Sequence, residues 1–285
     1  MYLGIYDAQI TVTSEDKVLI NSKKLRFFVL FSALICIFAV CMATKLTIDQ
    51  GNTAAKAAVW HDNQIVDEAV FRSLTESDID RLAEASGGRF DAAIYSTVRD
   101  VAVGVRDYVR DHSDRFIELT QDTPLPIKVA YKTPQTLGRD RIAAVVGAYG
   151  MTAGNWTLVV DCGTAITYDV LSPDGVFVGG NIAPGIFMRL EALNHFTARL
   201  PLVETSGDCP LWGYDTESAL RSGAINGVVG ELRYYRGMLP VADPKVVLTG
   251  GSADLVSSRA GFDLIVDSEL VSKGLNSILN YNENI

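Results

Sequence analysis

The chain has 285 residues, a net charge of −9, and 48% apolar against 21% charged side chains. It therefore reads as globular and long enough for two modest domains. An acidic body with no basic stripe argues against a nucleic-acid partner, although local cations at Lys56, Arg139 and Arg141 leave a small anionic substrate open. Cys36, Cys41, Cys162 and Cys209 show neither C-x-x-C nor disulfide-framework spacing, so a reduced compartment is expected. His61, His112 and His195 have no partner at ligand spacing, and zinc is not expected.

Residues 1–41 stand apart. Lys23, Lys24 and Arg26 precede the apolar run from Phe27 to Cys41, the pattern of a charged n-region and an apolar h-region. The run falls short of the ~18–20 apolar residues of a spanning helix. Val40 is bulkier than a lipoprotein site before Cys41 favours. Met42 sits three residues before the first core strand, where an initiator belongs. The preferred expectation is that residues 1–41 are spurious or non-core upstream sequence translated from a wrongly chosen start, with a real membrane tether as the other reading.

From Lys45 the pattern predicts a buried strand, then strands over Ala55–Trp60 and Ile65–Phe71 joined by the turn His61–Gln64. A helix over Glu76–Glu84 follows its N-cap Thr75, then a strand over Ala92–Ser96 and an amphipathic helix over Asp100–Asp111. Strands over Phe116–Leu119 and Ile127–Tyr131 bracket Thr123-Pro124-Leu125-Pro126, and a helix over Arg141–Tyr149 is expected to stop at Gly150. Met151–Asn155 reads as a joint. Strands over Thr157–Asp161, Ala165–Leu171 and Val176–Asn181 then repeat the opening scheme, with Pro173-Asp174-Gly175 turning the last pair. Helices after Pro184 and Asp215, strands over Val246–Thr249 and Leu264–Val266, and a helix over Glu269–Leu279 complete the chain.

The end of the first strand carries chemistry. Asp49-Gln50-Gly51-Asn52-Thr53-Ala54-Ala55-Lys56 offers an oxygen ligand for magnesium, a glycine that lets backbone approach phosphate, two polar donors and a point charge. Alone, this is equally an Asn/Gly hairpin turn. Asp161-Cys162-Gly163-Thr164, about a hundred residues on, repeats strand, Asp, one residue, Gly and Thr, which suggests two related halves facing a nucleotide. Gly250-Gly251 after a third buried strand can lie flat against adenine or ribose.

In this order the three loops resemble the phosphate-1, phosphate-2 and adenosine loops of the sugar kinase, actin and Hsp70 superfamily. Within it the chain resembles the type III pantothenate kinases. Asp49-x-Gly-Asn-Thr-x-x-Lys56 looks like their signature, and Tyr131 through Gly138-Arg139-Asp140-Arg141 is similar to their Tyr-x(6)-Gly-x-Asp-Arg motif. Gly179-Gly180-Asn181-Ile182-Ala183-Pro184-Gly185 and Trp212-Gly213-Tyr214-Asp215-Thr216 match two further segments. The resemblance spans Lys45 to the C-terminal helix.

It implies an α/β chain of two ribonuclease H-like domains, the actin-like ATPase fold, over residues 42–152 and 153–285, with the active site in the cleft between them. It implies ATP-dependent phosphorylation of pantothenate, the first step of coenzyme A synthesis, by a cytoplasmic homodimer with no membrane contact. A non-catalytic nucleotide-binding regulator on the same fold is the alternative. ATP with Mg²⁺ would meet Asp49, Gln50, Gly51, Asn52, Thr53, Ala54, Ala55, Lys56 and Thr164. Asp161 would hold K⁺ or NH₄⁺, which residue types alone do not separate from magnesium. Asp140 is the candidate base, an N-cap being its plainer role. Tyr131, Gly138, Arg139, Asp140, Arg141 and Thr216 would contact pantothenate. Arg141 suits a carboxylate bidentately but could be a surface ion pair, Tyr131 could be core, and Thr216 could cap a helix.

Overall fold

The computed structural model describes residues 43–84, 87–97 and 103–285. The extension over 1–41 and the start of the helix expected from Asp100 lie outside them. The first sheet is built from β1 (Thr44–Gln50), β2 (Ala55–His61), β3 (Gln64–Phe71), β4 (Phe90–Thr97) and β5 (Ser113–Glu118), in the order β3-β2-β1-β4-β5. β1 and β2 are antiparallel, with Asp49 opposite Lys56, whereas β1 and β4 are parallel, with Asp49 opposite Ser96. The second sheet contains β6 (Lys128–Val129), β7 (Thr157–Cys162), β8 (Ala165–Leu171), β9 (Val176–Pro184), β10 (Lys245–Thr249) and β11 (Ile265–Val266), ordered β11-β10-β7-β8-β9-β6.

Period-two burial explains how these sheets stack. Ala93 and Tyr95 of β4 face a core with helices α1 (Glu76–Ala83) and α2 (Val103–Asp111), while Ala92 and Ile94 face the opposite way. That second direction leads into a core shared with the other sheet. Val159, Leu171, Phe177 and Val247 enter it from β7–β10, around helices α3 (Arg139–Thr152) and α7 (Leu270–Glu283). The far face of the second sheet is closed by α4 (Ile186–Phe196), α5 (Thr216–Gly237) and α6 (Ala253–Ala260). Because α3 lies between two sheets it is apolar nearly all round, with residues 141–148 buried throughout. Its closest approach to α7 is backbone on backbone: a Cβ on Gly274 would enter the Ala143 carbonyl, and one on Gly147 would enter that of Leu270.

The Thr75 cap forms as expected, Asp78 N donating to Thr75 Oγ1 at 3.3 Å and the Asp78 carboxylate answering to Thr75 N. Several boundaries differ, among them the end of α7, which reaches Glu283 instead of Leu279. α3 begins at Arg139 and runs through Gly150 to Thr152, because tertiary packing outweighs the cost of one glycine. β5 begins at Ser113, three residues early, where Phe90 N bonds the His112 carbonyl and β4 sets the register. β6 keeps only Lys128–Val129 and pairs with β9, so a segment preceding the Met151–Asn155 joint belongs to the second sheet. β9 continues to Pro184, since β8 pairs with it through Ala165. Among the described residues no helix is long and apolar enough to cross a membrane.

Candidate active site

Two strands deliver their last side chains to one place. β1 ends at Asp49-Gln50 and turns through Gly51–Ala54, closed by Gly51 N donating to the Ala54 carbonyl at 3.0 Å. β7 ends at Asp161-Cys162 and turns through Gly163-Thr164 straight into β8. The tips meet, with Thr53 Oγ1 and Thr164 Oγ1 3.3 Å apart and both residues exposed. A third loop backs the second. Gly250 adopts φ +88, and a Cβ there would press into the Asp161 carboxylate and the Cys162 backbone, while Ser252 N bonds the Cys162 carbonyl at 3.1 Å.

Asp140 occupies the first turn of α3, behind the N-cap Gly138. One carboxylate oxygen accepts the Arg141 backbone N–H at 2.8 Å; the other has no hydrogen-bond partner among the described residues. It is therefore not the N-cap, a position that Gly138 fills. Three carboxylates feel one another. Asp49 is pushed up to about 7, by burial first and then by the negative charges of Asp140 and Asp161, against smaller opposing pulls from the Ser96 hydroxyl and Lys56. Asp161 is pushed up to about 6, by burial and then by Asp140 and Asp169. Such mutual repulsion is what an approaching cation relieves. Among the described residues no three His, Cys, Asp or Glu form a metal cage alone, so a metal here would complete its shell with phosphate and water oxygens, as magnesium does.

The profile of the type III pantothenate kinases matches residues 45–236. The chain belongs to the type III pantothenate kinase family. A type III pantothenate kinase of Phocaeicola vulgatus is 40% identical over 244 residues, covering 85% of this chain and 100% of that one. One from Bacteroides fragilis is 42% identical over 242 residues, covering 84% and 98%. Among solved structures, a conserved Campylobacter jejuni protein described as a candidate Baf family transcriptional activator superposes with TM-score 0.57 at 25% identity, over 84% of this chain and 100% of that one. A candidate 2-dehydro-3-deoxygalactonokinase of Sinorhizobium meliloti gives TM-score 0.52 at 12% identity, over 85% and 100%, a likeness of fold alone. The two-sheet α/β architecture is accordingly that of the actin-like ATPases and sugar kinases, and the chain is a kinase.

Not every residue carrying the type III pantothenate kinase pattern points into this cluster. Lys56 Nζ lies 2.9 Å from Glu68 Oε1 and donates to the Ser268 carbonyl at 2.8 Å, because Glu68 on β3 is its diagonal cross-strand neighbour. Arg139 bends back to the Leu137 carbonyl at 3.0 Å. Arg141 departs furthest from expectation. It is 5% exposed, and its Nε and Nη2 grip Asp169 at 3.1 and 2.5 Å, so the fork expected for a substrate carboxylate is already used. A buried carboxylate in mid-strand requires such a partner. The surface ion-pair reading fails with it.

Tyr131 stacks on Phe177 at 6.2 Å, and the Arg141 guanidinium lies 5.7 Å from its ring, so Tyr131 is partly core while keeping an exposed edge. Thr216 is the first residue of α5, exposed, and the capping box belongs to Asp215 and Ser218. No hydrogen bond among the described residues joins Thr216 to Asp140 or Arg141. Two participants went unread in the sequence. Ser96 donates to Asp49 at 3.4 Å, and Asp169 holds Arg141. An aspartate within the apolar run of β8 was the available signal for the second.

Proposed function

We propose that this chain transfers the γ-phosphoryl group of ATP to the hydroxyl of pantothenate. What supports the reading above all is the position of Asp140, whose charge bears on both Asp49 and Asp161 at the start of the helix between the two hairpins. Asp140 accepts the proton of the attacking hydroxyl. Thr53, Thr164 and the Asn52 amide donate to phosphate oxygens, with the backbone of residues 50–55 approaching closely. Asp49 and Asp161 would hold Mg²⁺ and a monovalent cation, K⁺ or NH₄⁺; a bound cation neutralises charge that grows on the transferring phosphoryl group. Tyr131 and Arg141, fixed together, form one wall of the pantothenate site, with Gly138 and Arg139 at its edge.

The assembly we infer is a homodimer in the cytoplasm. Trp212 and Tyr214, 83% and 70% exposed, precede Thr216, and aromatic groups of that exposure suit burial against a second copy that would bring Thr216 to a pantothenate pocket. Free Cys162 and Cys209 suit a reducing compartment where ATP is available. A nucleotide-binding switch would need the two hairpins but no carboxylate for a hydroxyl proton. Coupled measurement of ADP release with and without pantothenate separates the two: release that does not depend on pantothenate ends the kinase reading.

A further inference from the structure

The geometry points to Arg189 and Glu231, with Tyr168 behind them, as positioning residues that hold the Thr164 hairpin at the height where it meets nucleotide phosphates. The inference rests on the reading that this hairpin binds MgATP. Arg189 lies in the first turn of α4 and turns its side chain back on the preceding loop, Nε donating to the Pro184 carbonyl at 2.8 Å. Its Nη2 bonds Glu231 Oε2, on α5, at 2.7 Å, and the Tyr168 hydroxyl donates to that same oxygen at 3.0 Å. Tyr168 belongs to β8, the strand that leaves the hairpin. The loop so anchored reaches the hairpin directly, because Gly185 N donates to the Thr164 carbonyl at 3.1 Å. A Cβ at Gly185 would collide with the Thr164 and Gly163 carbonyls, so the contact is made by bare backbone. Thr164 then touches Thr53.

The path therefore runs Glu231, Arg189, Pro184-Gly185, Thr164, Thr53, and each step is a hydrogen bond or a peptide link. None of the three side chains belongs to the Asp49, Asp140 and Asp161 cluster, so they act through the loop and not on the reacting atoms. Arg suits the task because a planar fork can hold a carbonyl and a carboxylate in fixed directions at once, which a lysine point charge cannot. Glu231 is 34% exposed, and its worth lies less in the ion pair than in aiming the guanidinium.

The test measures MgATP and pantothenate KM for wild type, Glu231→Gln, Arg189→Lys and Tyr168→Phe, with MgATP affinity taken separately by calorimetry. Glu231→Gln and Arg189→Lys should weaken MgATP roughly tenfold, as loss of a ligand-orienting partner does, with pantothenate KM changed less than twofold. On a Thr164→Val background, Glu231→Gln should add almost nothing, since its effect passes through that residue. Equal loss for both substrates, or full additivity with Thr164→Val, overturns the inference in favour of a brace between α4 and α5. Tyr168→Phe removes one hydroxyl and gives a smaller MgATP loss of the same kind if Glu231→Gln fails to fold. Wild-type protein that binds MgATP yet never turns over pantothenate would defeat the kinase reading while leaving the calorimetric arm to decide this one.

Discussion

The hydroxyls of Thr53 and Thr164, 111 positions apart in the chain, stand 3.3 Å from each other at the tips of two hairpins. Either can donate to the other, and either can turn to a phosphate oxygen instead. Thr53→Val and Thr164→Val should each raise the MgATP KM about ten- to a hundredfold, the value of one hydrogen bond to a charged acceptor. The double variant should fall short of the product of the two. Independent, multiplicative effects in the KM cycle would show that the pair does not share a ligand.

Asp140→Asn should lower kcat by about 10²–10⁴, because an amide cannot take the hydroxyl proton. MgATP affinity should hold or improve, since one of the charges repelling Asp49 and Asp161 is removed. Near-normal turnover by the folded variant removes Asp140 from the role of base.

The raised Asp49 and Asp161 carboxyls set a pH dependence whose sign is fixed. Without metal the folded protein keeps protons on them up to about 7 and about 6, whereas the ordinary value of an aspartate carboxyl is 3.8. Between those values the folded state binds more protons, so stability falls as pH rises through the window. Asp49→Asn should therefore raise the metal-free Tm at pH 8 and raise it less at pH 5, while weakening MgATP binding. Wild-type MgATP binding should release protons, seen as a calorimetric enthalpy that varies with the buffer's heat of ionisation. An Asp49→Asn Tm gain that is no larger at pH 8 than at pH 5 contradicts the assignment.

Potassium or ammonium should accelerate the reaction if Asp161 holds a monovalent cation, the two being of similar size and satisfied by the same oxygens. Rates measured in potassium, ammonium, sodium and choline chloride at constant ionic strength decide it. Equality across all four removes the site.

Gly274→Ala should destabilise the fold by about 1–3 kcal/mol or more, since the added methyl meets the Ala143 carbonyl and neither helix backbone can yield cheaply. Urea denaturation gives the figure, and a midpoint equal to wild type would mean that the α3–α7 crossing has room for a methyl group.

Most strands, the Thr75 cap and both hairpin tips were legible in the sequence because period-two burial, turn residues and Asp-Gly-Thr spacing are local signals. The direction of the cationic side chains was not. Lys56, Arg139 and Arg141 carry the right charge at the right spacing, yet Lys56 and Arg141 turn to groups on distant segments, Ser268 and Asp169, and Arg139 folds back on its own loop at Leu137. The length of β6 is not legible locally either, since its partner β9 lies more than forty residues on. Asp140 and Asp161 could be named one by one, but their electrostatic coupling belongs to the folded arrangement.

Lys45 on β1 pairs with Glu283 and Asn280 on α7, and Leu275, Ile278 and Leu279 of the same helix complete the core over Ala92 and Ile94. The inner face of the first sheet, which α3 covers only in part, is therefore not closed until residues 270–283 have been synthesised. Pairings of such sequence separation are slow to form. A nascent chain carrying a finished β1–β4 sheet with part of one apolar side bare is the species most exposed to aggregation, and the one a chaperone would have reason to hold.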